Sequence, residues 1–286
     1  MAEGISLEQK ANFVKVLRRE PVDSAYSLAG SNHIGLLTSL PPTTMDCSGI
    51  ELATTTTGYA RFNISDAAAP TFWSTPQNRI SYNLQTILFG PAITSWQKVV
   101  GVALFGDNTA TTALAGGHLN AGITAPENYY LKFAPGQLKI EVTADWKFKS
   151  EELAVKQIRA LLHNETFSLP NNQVWIGLGT KAPNQSGDIG ELTETTAPGY
   201  ERIPYVCDDT TWTDPAATGS VSNTQEMEFA DATENWAAIR SFGIFVNSND
   251  PASDPVPWYH GTLNSEAIVR KFDNIIIPAN SLEVSE

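Results

Sequence analysis

The sequence predicts a mainly β protein with two tandem antiparallel β-sandwich domains, each preceded by a short amphipathic α-helix. Three observations support this fold class. The chain uses one series of motifs twice, its apolar segments are short and end in Pro, Gly or polar turns, and each copy contains a single helical pattern. In a chain of 286 residues, each copy is close to the commonest domain size, so it can bury a core of its own.

The repeat is visible in three pairs of motifs that occur in the same order. A strand-like "HIGLLT" matches "WIGLGT", a Gly-Tyr-x-Arg motif occurs twice, and a tryptophan follows each motif. The matched residues are His33 and Trp175, Gly58 and Gly199, and Trp96 and Trp236. Their offsets are 175−33 = 142, 199−58 = 141 and 236−96 = 140. Loops of slightly different length produce such a drift, so we predict domains over 1–145 and 146–286.

Each copy begins with an amphipathic helical pattern. Apolar residues recur at helical spacing at Leu7, Ala11, Val14 and Leu17 in the first copy, and at Ala154, Ile158, Leu161 and Leu162 in the second. We predict that each helix packs one face on its own domain. A helix that binds a membrane or a partner is the alternative.

Matched aromatic residues are predicted to form the structural core of each sandwich. They are Tyr59, Trp96, Phe105, Tyr200, Trp236 and Phe245. Burying a tryptophan is worth roughly 4–6 kcal/mol before entropy is counted, so matched tryptophans favour a core over a carbohydrate platform. In the Gly-Tyr-x-Arg motif, alternation places Tyr and Arg on one face. We expect the Arg plane to cover the Tyr ring, with an exposed ligand platform as the alternative.

Composition excludes several classes of function. The net charge of −13 argues against nucleic-acid binding, which needs clustered Lys and Arg. The first residues, "MAEGISLEQK", contain neither the basic nor the apolar region of a secretory signal, and the longest apolar runs are too short to span a bilayer. Cys47 and Cys207 lie at non-matching places, which favours a reduced compartment over a disulfide framework.

No arrangement of residues predicts a catalytic, cofactor-binding or metal site. The four histidines have no metal-ligand spacing; we expect His33 to begin a strand, His163 to end a helix, and His118 and His260 to lie in loops. Asp208, Asp209 and Asp214 fit a solvated acidic turn better than a calcium site. The "GLG" at 177–179 is a strand detail rather than a dinucleotide-binding loop. A carboxylate pair for glycan cleavage stays open.

The second copy resembles a family of tail fibre or small tail proteins of tailed phages, of the mycobacteriophage gp80-like type. The resemblance rests on "VWIGLGTKAP", "GYERI", and above all "SNTQEMEFADATENWAAIRSFGIF" over 222–245. The first copy keeps Phe89, Trp96 and Phe105 of that pattern. The resemblance implies a non-enzymatic structural protein of a virion, made in the bacterial host cytoplasm and associated with the tail, baseplate or fibre. Its partners would be other phage structural proteins and copies of itself.

Three other functions remain as alternatives. The protein could be a capsid decoration protein on the head exterior. It could be a carbohydrate-binding module for receptor recognition, with loop aromatics such as Trp258 and Tyr259 as the ligand or partner surface. An enzyme that degrades a polysaccharide is the third, which a hydrolysis assay separates from the other two.

Overall fold

The chain divides into two compact units, whose main parts run over 22–143 (unit 1) and 167–286 (unit 2). The computed structural model describes residues 4–5, 32–42, 44–64, 69–77, 80–141, 153, 155–159, 169, 172–181, 192–215 and 220–285. The expected domain boundary at 145/146 lies outside these residues and stays a prediction.

Unit 1 contains a main antiparallel sheet and a second, interrupted antiparallel ladder. The main sheet has the order β1-β7-β6-β2-β3, from β1 (Gly4–Ile5), β2 (Asn32–Leu37), β3 (Phe62–Ile64), β6 (Val99–Phe105) and β7 (Ala115–Ile123). The ladder pairs β4 (Ile80–Tyr82) with β9 (Lys139–Glu141), and β5 (Ile87–Phe89) with β8 (Leu131–Phe133). A four-residue helix, α1 (Ala69–Phe72), precedes β4.

Unit 2 repeats this arrangement. Its main sheet has the order β11-β10-β14-β15, from β10 (Gln173–Gly179), β11 (Ile203–Val206), β14 (Ile239–Phe245) and β15 (Tyr259–Ala267). Its ladder pairs β12 (Ser220–Ser222) with β17 (Glu283–Ser285), and β13 (Met227–Glu228) with β16 (Ile276–Ile277). Strands β2, β3, β6 and β7 of unit 1 therefore correspond to β10, β11, β14 and β15.

The four corresponding strands of the two main sheets share their register as well as their order. His33 is paired with Phe105 in unit 1, and Trp175 is paired with Phe245 in unit 2. Both sheets also have a register shift near the start of the third strand, between Val99 and Gly101 and between Ile239 and Ser241. The predicted mainly β, tandem antiparallel architecture is confirmed.

Aromatic rings join the two layers of each unit. In unit 1, the Tyr59 ring stacks on Phe89 of the ladder at 6.1 Å between centroids, and the Trp96 ring meets Tyr59 edge-on at 6.0 Å. In unit 2, Tyr200 stacks on Phe229 at 6.2 Å, with Trp236 edge-on at 5.7 Å. Of the six predicted core residues, five are buried and Tyr200 is half-buried.

The predicted helices fall largely outside the described residues. The first stripe, from Leu7 to Leu17, lies there entirely, as do Ala154, Leu161 and Leu162 of the second. Residues 155–159 are helical, and Ile158 of the predicted apolar face is fully buried.

A buried asparagine bridges the interruption in each ladder. The side-chain oxygen of Asn83 accepts from Leu138 N at 2.8 Å, and its Nδ2 donates to Gln85 O and Ala134 O. Asn223 makes the same three bonds, with Leu282 N, Gln225 O and Pro278 O as partners. Both side chains are fully buried. The amide therefore replaces the backbone pairing that is lost where the strands separate.

The variant Asn223→Ala should destabilise unit 2 by more than about 2 kcal/mol, because one backbone donor and two carbonyls lose their partner and each such buried group costs about 1–3 kcal/mol. Urea unfolding followed by tryptophan fluorescence measures the change. Asn274→Ala is the control: its Nδ2 donates to the exposed Glu228, so a change within about 0.5 kcal/mol is expected. Equal midpoints for the two variants would contradict the bridging role of Asn223.

Candidate functional sites

A buried ion pair ties three segments of unit 1 together. Arg61 Nη2 lies 2.7 Å from Glu51 Oε2, and Arg61 Nε donates to Glu51 Oε1 at 2.8 Å. The Tyr59 hydroxyl donates to the same Oε1 at 2.7 Å and accepts from Leu36 N of β2. Arg61 also donates to the carbonyls of Asp107 and Ala110, in the loop after β6. Four of the five guanidinium N–H groups are used in this way.

Unit 2 contains the same network, more deeply buried. Arg202 binds Glu194 through Nη2 at 2.6 Å and Nε at 2.8 Å, and its remaining bonds go to Ser248 O and Asp254 O. Tyr200 donates to Glu194 and accepts from Leu178 N of β10. The Arg202 side chain is 0 % exposed and Glu194 9 %, against 7 % and 17 % for Arg61 and Glu51.

The arginine planes cover phenylalanine rings, which corrects the expectation of a Tyr–Arg stack. The Arg61 guanidinium carbon lies 3.6 Å from the Phe105 ring centroid, and that of Arg202 lies 3.3 Å from Phe245. Tyr and Arg do share one face, because both bind the same glutamate. Burial, and then the charge of Glu51, raise the pKa of Tyr59, and burial and Glu194 do the same for Tyr200. Each tyrosine therefore remains a neutral hydrogen-bond donor.

A glycine in the central strand leaves room for each network. An added Cβ at Gly35 would lie 2.7 Å from Phe105, 3.0 Å from Glu51 and 3.1 Å from the Tyr59 hydroxyl. At Gly177 the corresponding distances to Phe245, Glu194 and Tyr200 are 2.8, 2.8 and 3.1 Å. The "GLG" at 177–179 lies in β10, and Gly177 is required there by close packing.

Trp258 and Tyr259 do not form the exposed ligand surface that the sequence suggested. Trp258 is 1 % exposed and Tyr259 is 2 % exposed. Tyr259 begins β15, and burial of both rings makes them part of the interior of unit 2 rather than a platform. The expectation of an exposed site at these two residues is therefore corrected.

The sequence raised several titratable residues as candidate metal ligands, and those that the structure describes lie in turns and strands. Asp208 Oδ1 accepts from the backbone and hydroxyl groups of Thr210 and Thr211, and the Thr210 hydroxyl above all lowers the pKa of Asp208. His118 and His260 lie in β7 and β15, not in loops as expected. In the part of the chain that the structure describes, no group of three or more His, Cys, Asp or Glu side chains is placed to hold a metal ion.

Both cysteines are buried and form no disulfide. Burial, followed by the nearby charge of Glu51, raises the pKa of the Cys47 thiol to about 11. A thiol with such a pKa is protonated at neutral pH and a poor nucleophile.

An open cleft of about 590 Å³ lies in unit 2 between β15 and the ladder strands β16 and β17. Apolar side chains such as Phe242 and Ile277 line it together with polar ones, among them Thr262, Asn264 and Glu283. This volume and mixed lining are within the range of small-ligand sites.

The outer faces of the two ladders differ in chemistry although their backbones correspond. Leu88 is paired with Lys132 and Tyr82 with Lys139, and all four side chains are exposed. At the end of this ladder Tyr130 lies beside Gly90, where an added Cβ would be 3.5 Å from Tyr130 Cα. We call these residues face 1. The corresponding face 2 consists of Ser222, Glu228, Asn274, Ile276 and Glu283.

Exposed apolar side chains of unit 1 are replaced by polar ones in unit 2 at most matched positions. In the described part of unit 1, the large exposed apolar residues are Tyr82, Leu84, Leu88, Ile93, Ile123, Tyr129 and Tyr130. Their matches are Ser222, Thr224, Glu228, Thr233, Ala267, Asp273 and Asn274. The loop matches follow from shared hydrogen bonds, such as Ala92 N to Tyr129 O and Ala232 N to Asp273 O. The fold itself therefore does not require apolar residues at these positions.

Comparison with protein-family models shows the family to which this architecture belongs. The family model described as podophage GP4 fiber I protein gp80 matches the chain twice, over residues 17–141 and 149–285. The chain belongs to this podophage fibre protein family. The two matches agree with the tandem repeat, and the family description names a podophage rather than a mycobacteriophage. The chain matches no curated protein closely enough to count as a relative.

In this fibre-family chain, sequence reasoning missed the glutamates and asparagines that complete each unit. A signal for them was present. Glu51 is the only glutamate between Glu20 and Glu127, and an Asn-x-Gln sequence at Asn83 and Asn223 has the offset 223−83 = 140, the same as the tryptophans.

Among the described helices, none has the length and apolar character needed to cross a membrane.

Glu194→Ala should destabilise unit 2 by about 3–5 kcal/mol, because it leaves Arg202 buried without its carboxylate. Glu51→Ala should cost unit 1 less, since its ion pair is more exposed. Chemical unfolding measures both. The control is Glu266→Ala, which breaks an exposed pair with Arg240 (51 % and 42 % exposed) and should change stability by at most about 1 kcal/mol. A Glu194→Ala variant as stable as the control would refute the structural importance of the network.

Proposed function

We propose that the protein is a non-catalytic structural component of a tailed-phage fibre, tail or baseplate, in which two rigid sandwich units present surfaces to other subunits. The observation that carries this proposal is the match of one fibre family to both halves of the chain. Each match covers a unit with the same sheet order and the same buried network.

The use of charged and polar groups supports a scaffolding role. Arg61 and Arg202 spend their donors on internal carboxylates and carbonyls. The carboxylate of Asp107 is bound by Thr109 and Ala110 of its own turn, and the Thr109 hydroxyl above all lowers the pKa of Asp107. Groups committed to internal bonds rigidify the units, and assembly needs such rigid surfaces rather than a poised pKa.

The proposed partners are other phage structural proteins and copies of the chain itself, and the proposed location is the virion after synthesis in the host cytoplasm. A net charge of −13 keeps the subunit soluble before assembly and disfavours contact with nucleic acid. Two units in one chain also let a second contact form at high effective concentration once the first is made.

Purified particles should contain the chain in a copy number related to the symmetry of the tail, and the isolated chain should release no sugar from host polysaccharide. Quantitative mass spectrometry of virions and a reducing-sugar assay measure these two quantities. Localisation on the capsid lattice would favour a decoration protein on the head exterior. Absence from virions, or hydrolysis by the free chain, would refute the proposal.

A carbohydrate-binding role is the second candidate, and the cleft of unit 2 is the observation that favours it. Hydroxyl and amide side chains at Thr262 and Asn264 line it together with apolar residues, and a ligand site of this kind combines apolar walls with a few polar groups. Calorimetric titration with host surface glycan tests it: binding that is lost in Asn264→Ala would support this role, and no heat of binding would exclude it.

A further inference from the structure

We propose that face 1 of one chain binds face 2 of a second copy, so that chains associate head to tail through their two unlike units. This inference deepens the proposed structural role by naming a partner and a surface for it. The evidence for this interface is the residues of the two faces, and it does not depend on where in a particle the chain is located.

Face 1 has the composition of a protein-binding surface. Leu88 is 47 % exposed and Tyr130 is 54 % exposed, and Lys132 and Lys139 stand beside the apolar residues on the same outer side of the ladder. Single exposed apolar side chains are normal, but a group of them along one face marks an interaction site. Aromatic rings are also enriched where proteins meet.

The internal comparison between the units shows that face 1 is not a by-product of the fold. Unit 2 builds the same ladder with Glu228 in place of Leu88 and Asn274 in place of Tyr130. Since the backbone accepts polar residues at these positions, the fold does not depend on apolar ones there. Burial against another surface gives them a role.

Charge decides which surface face 1 fits. Lys132 and Lys139 of face 1 occupy the positions of Ile276 and Glu283 in face 2, whereas Leu88 occupies that of Glu228. Face 1 therefore presents cations beside apolar groups and face 2 presents anions beside an apolar group, so the two faces are complementary in charge. Contact of face 1 with a second face 1 would instead place lysines together, which is unfavourable.

The present contacts of these charges can be exchanged. Lys139 is bound to Glu141 on its own strand, but both side chains are about half or one third exposed, and such pairs contribute only about 0–1 kcal/mol. The carboxylate of a partner can take the place of Glu141 at little cost. Glu228 accepts a hydrogen bond from Asn274 within face 2, which holds its carboxylate toward the ladder surface.

Phe272, at the end of the face 2 ladder, gives a second sign of an external partner. It is 75 % exposed and has a φ of 72°, a left-handed conformation that costs a bulky residue about 1–2 kcal/mol. The matched residue of unit 1 is Asn128, also with positive φ (68°), and asparagine tolerates this region. Within unit 2 this ring contacts only the neighbouring Lys271 among the ring contacts described, with Nζ 5.0 Å from the centroid, and a second chain packed on the exposed ring would offset the cost of its conformation.

The interface is heterologous, because it joins different surfaces of two identical chains. A pair of chains then keeps one unused face 1 and one unused face 2, and association continues into an open row or closes into a ring. Lys132→Glu removes attraction at every face 1, and Glu228→Lys removes it at every face 2.

Sedimentation velocity of the full chain over a range of concentrations, at physiological ionic strength, tests the proposal. Wild type should form oligomers, and Lys132→Glu or Glu228→Lys should each raise the dissociation constant at least tenfold. An equimolar mixture of the two variants should recover association, because the intact face 2 of one variant fits the intact face 1 of the other, and the reversed charges of the two altered faces attract each other. Glu201→Lys, which reverses an exposed charge that belongs to neither face, is the matched control and should leave association unchanged.

Leu88→Glu with Tyr130→Asn provides a second variant whose fold is protected, since unit 2 carries these residues at the same positions. It should be monomeric with an unchanged melting temperature. Wild type that stays monomeric at all concentrations would overturn the proposal. So would a wild-type association that Glu228→Lys does not weaken, since this would indicate contact between two copies of face 1 or a different surface. Either result leaves the presence of the chain in virions, measured separately, to decide the proposed function.

Discussion

The buried pair of arginine and glutamate constrains each unit more than any other contact. A guanidinium that is 0–7 % exposed requires acceptors on nearly all its N–H groups, because a buried charge without partners costs several kcal/mol. The chain supplies them from two separate segments, which are the glutamate before the Gly-Tyr turn and the loop after the third strand. An alternative packing that misplaces one segment would bury the arginine unpaired. The network therefore selects one arrangement of loops as well as stabilising it.

The same requirement explains why small and polar residues sit at central positions. Gly35 and Gly177 leave the space that the glutamate and tyrosine hydroxyl occupy, and the tyrosine hydroxyl takes the place of a strand partner for Leu36 N and Leu178 N. In the second layer, the side-chain amides of Asn83 and Asn223 likewise replace backbone partners, because each amide spans an interruption in the ladder. Both layers are thus closed by side chains that imitate backbone pairing.

An interior fixed in this way leaves the outer faces free to change. Between the two units the network, the asparagine bridge and the aromatic contacts between layers are retained, while exposed ladder positions change from Leu88 to Glu228 and from Lys139 to Glu283. A conserved interior with variable outer faces suits a chain whose two units share one fold and contact different partners. It also makes the chain its own control, because each residue on one face has a structurally equivalent position on the other.

The sequence by itself determined the tandem mainly β architecture, since the paired motifs recur in order and each short apolar run is limited by turn residues. It also identified Tyr59, Trp96 and Phe105 as core, because a repeated aromatic residue in a small unit is best used in packing. Only the tertiary structure decided that Glu51 completes the network, that Arg61 covers Phe105 rather than Tyr59, and that Trp258 and Tyr259 are buried. These outcomes depend on contacts between segments distant along the chain, and periodicity in a sequence reports the face of a strand but not what that face meets.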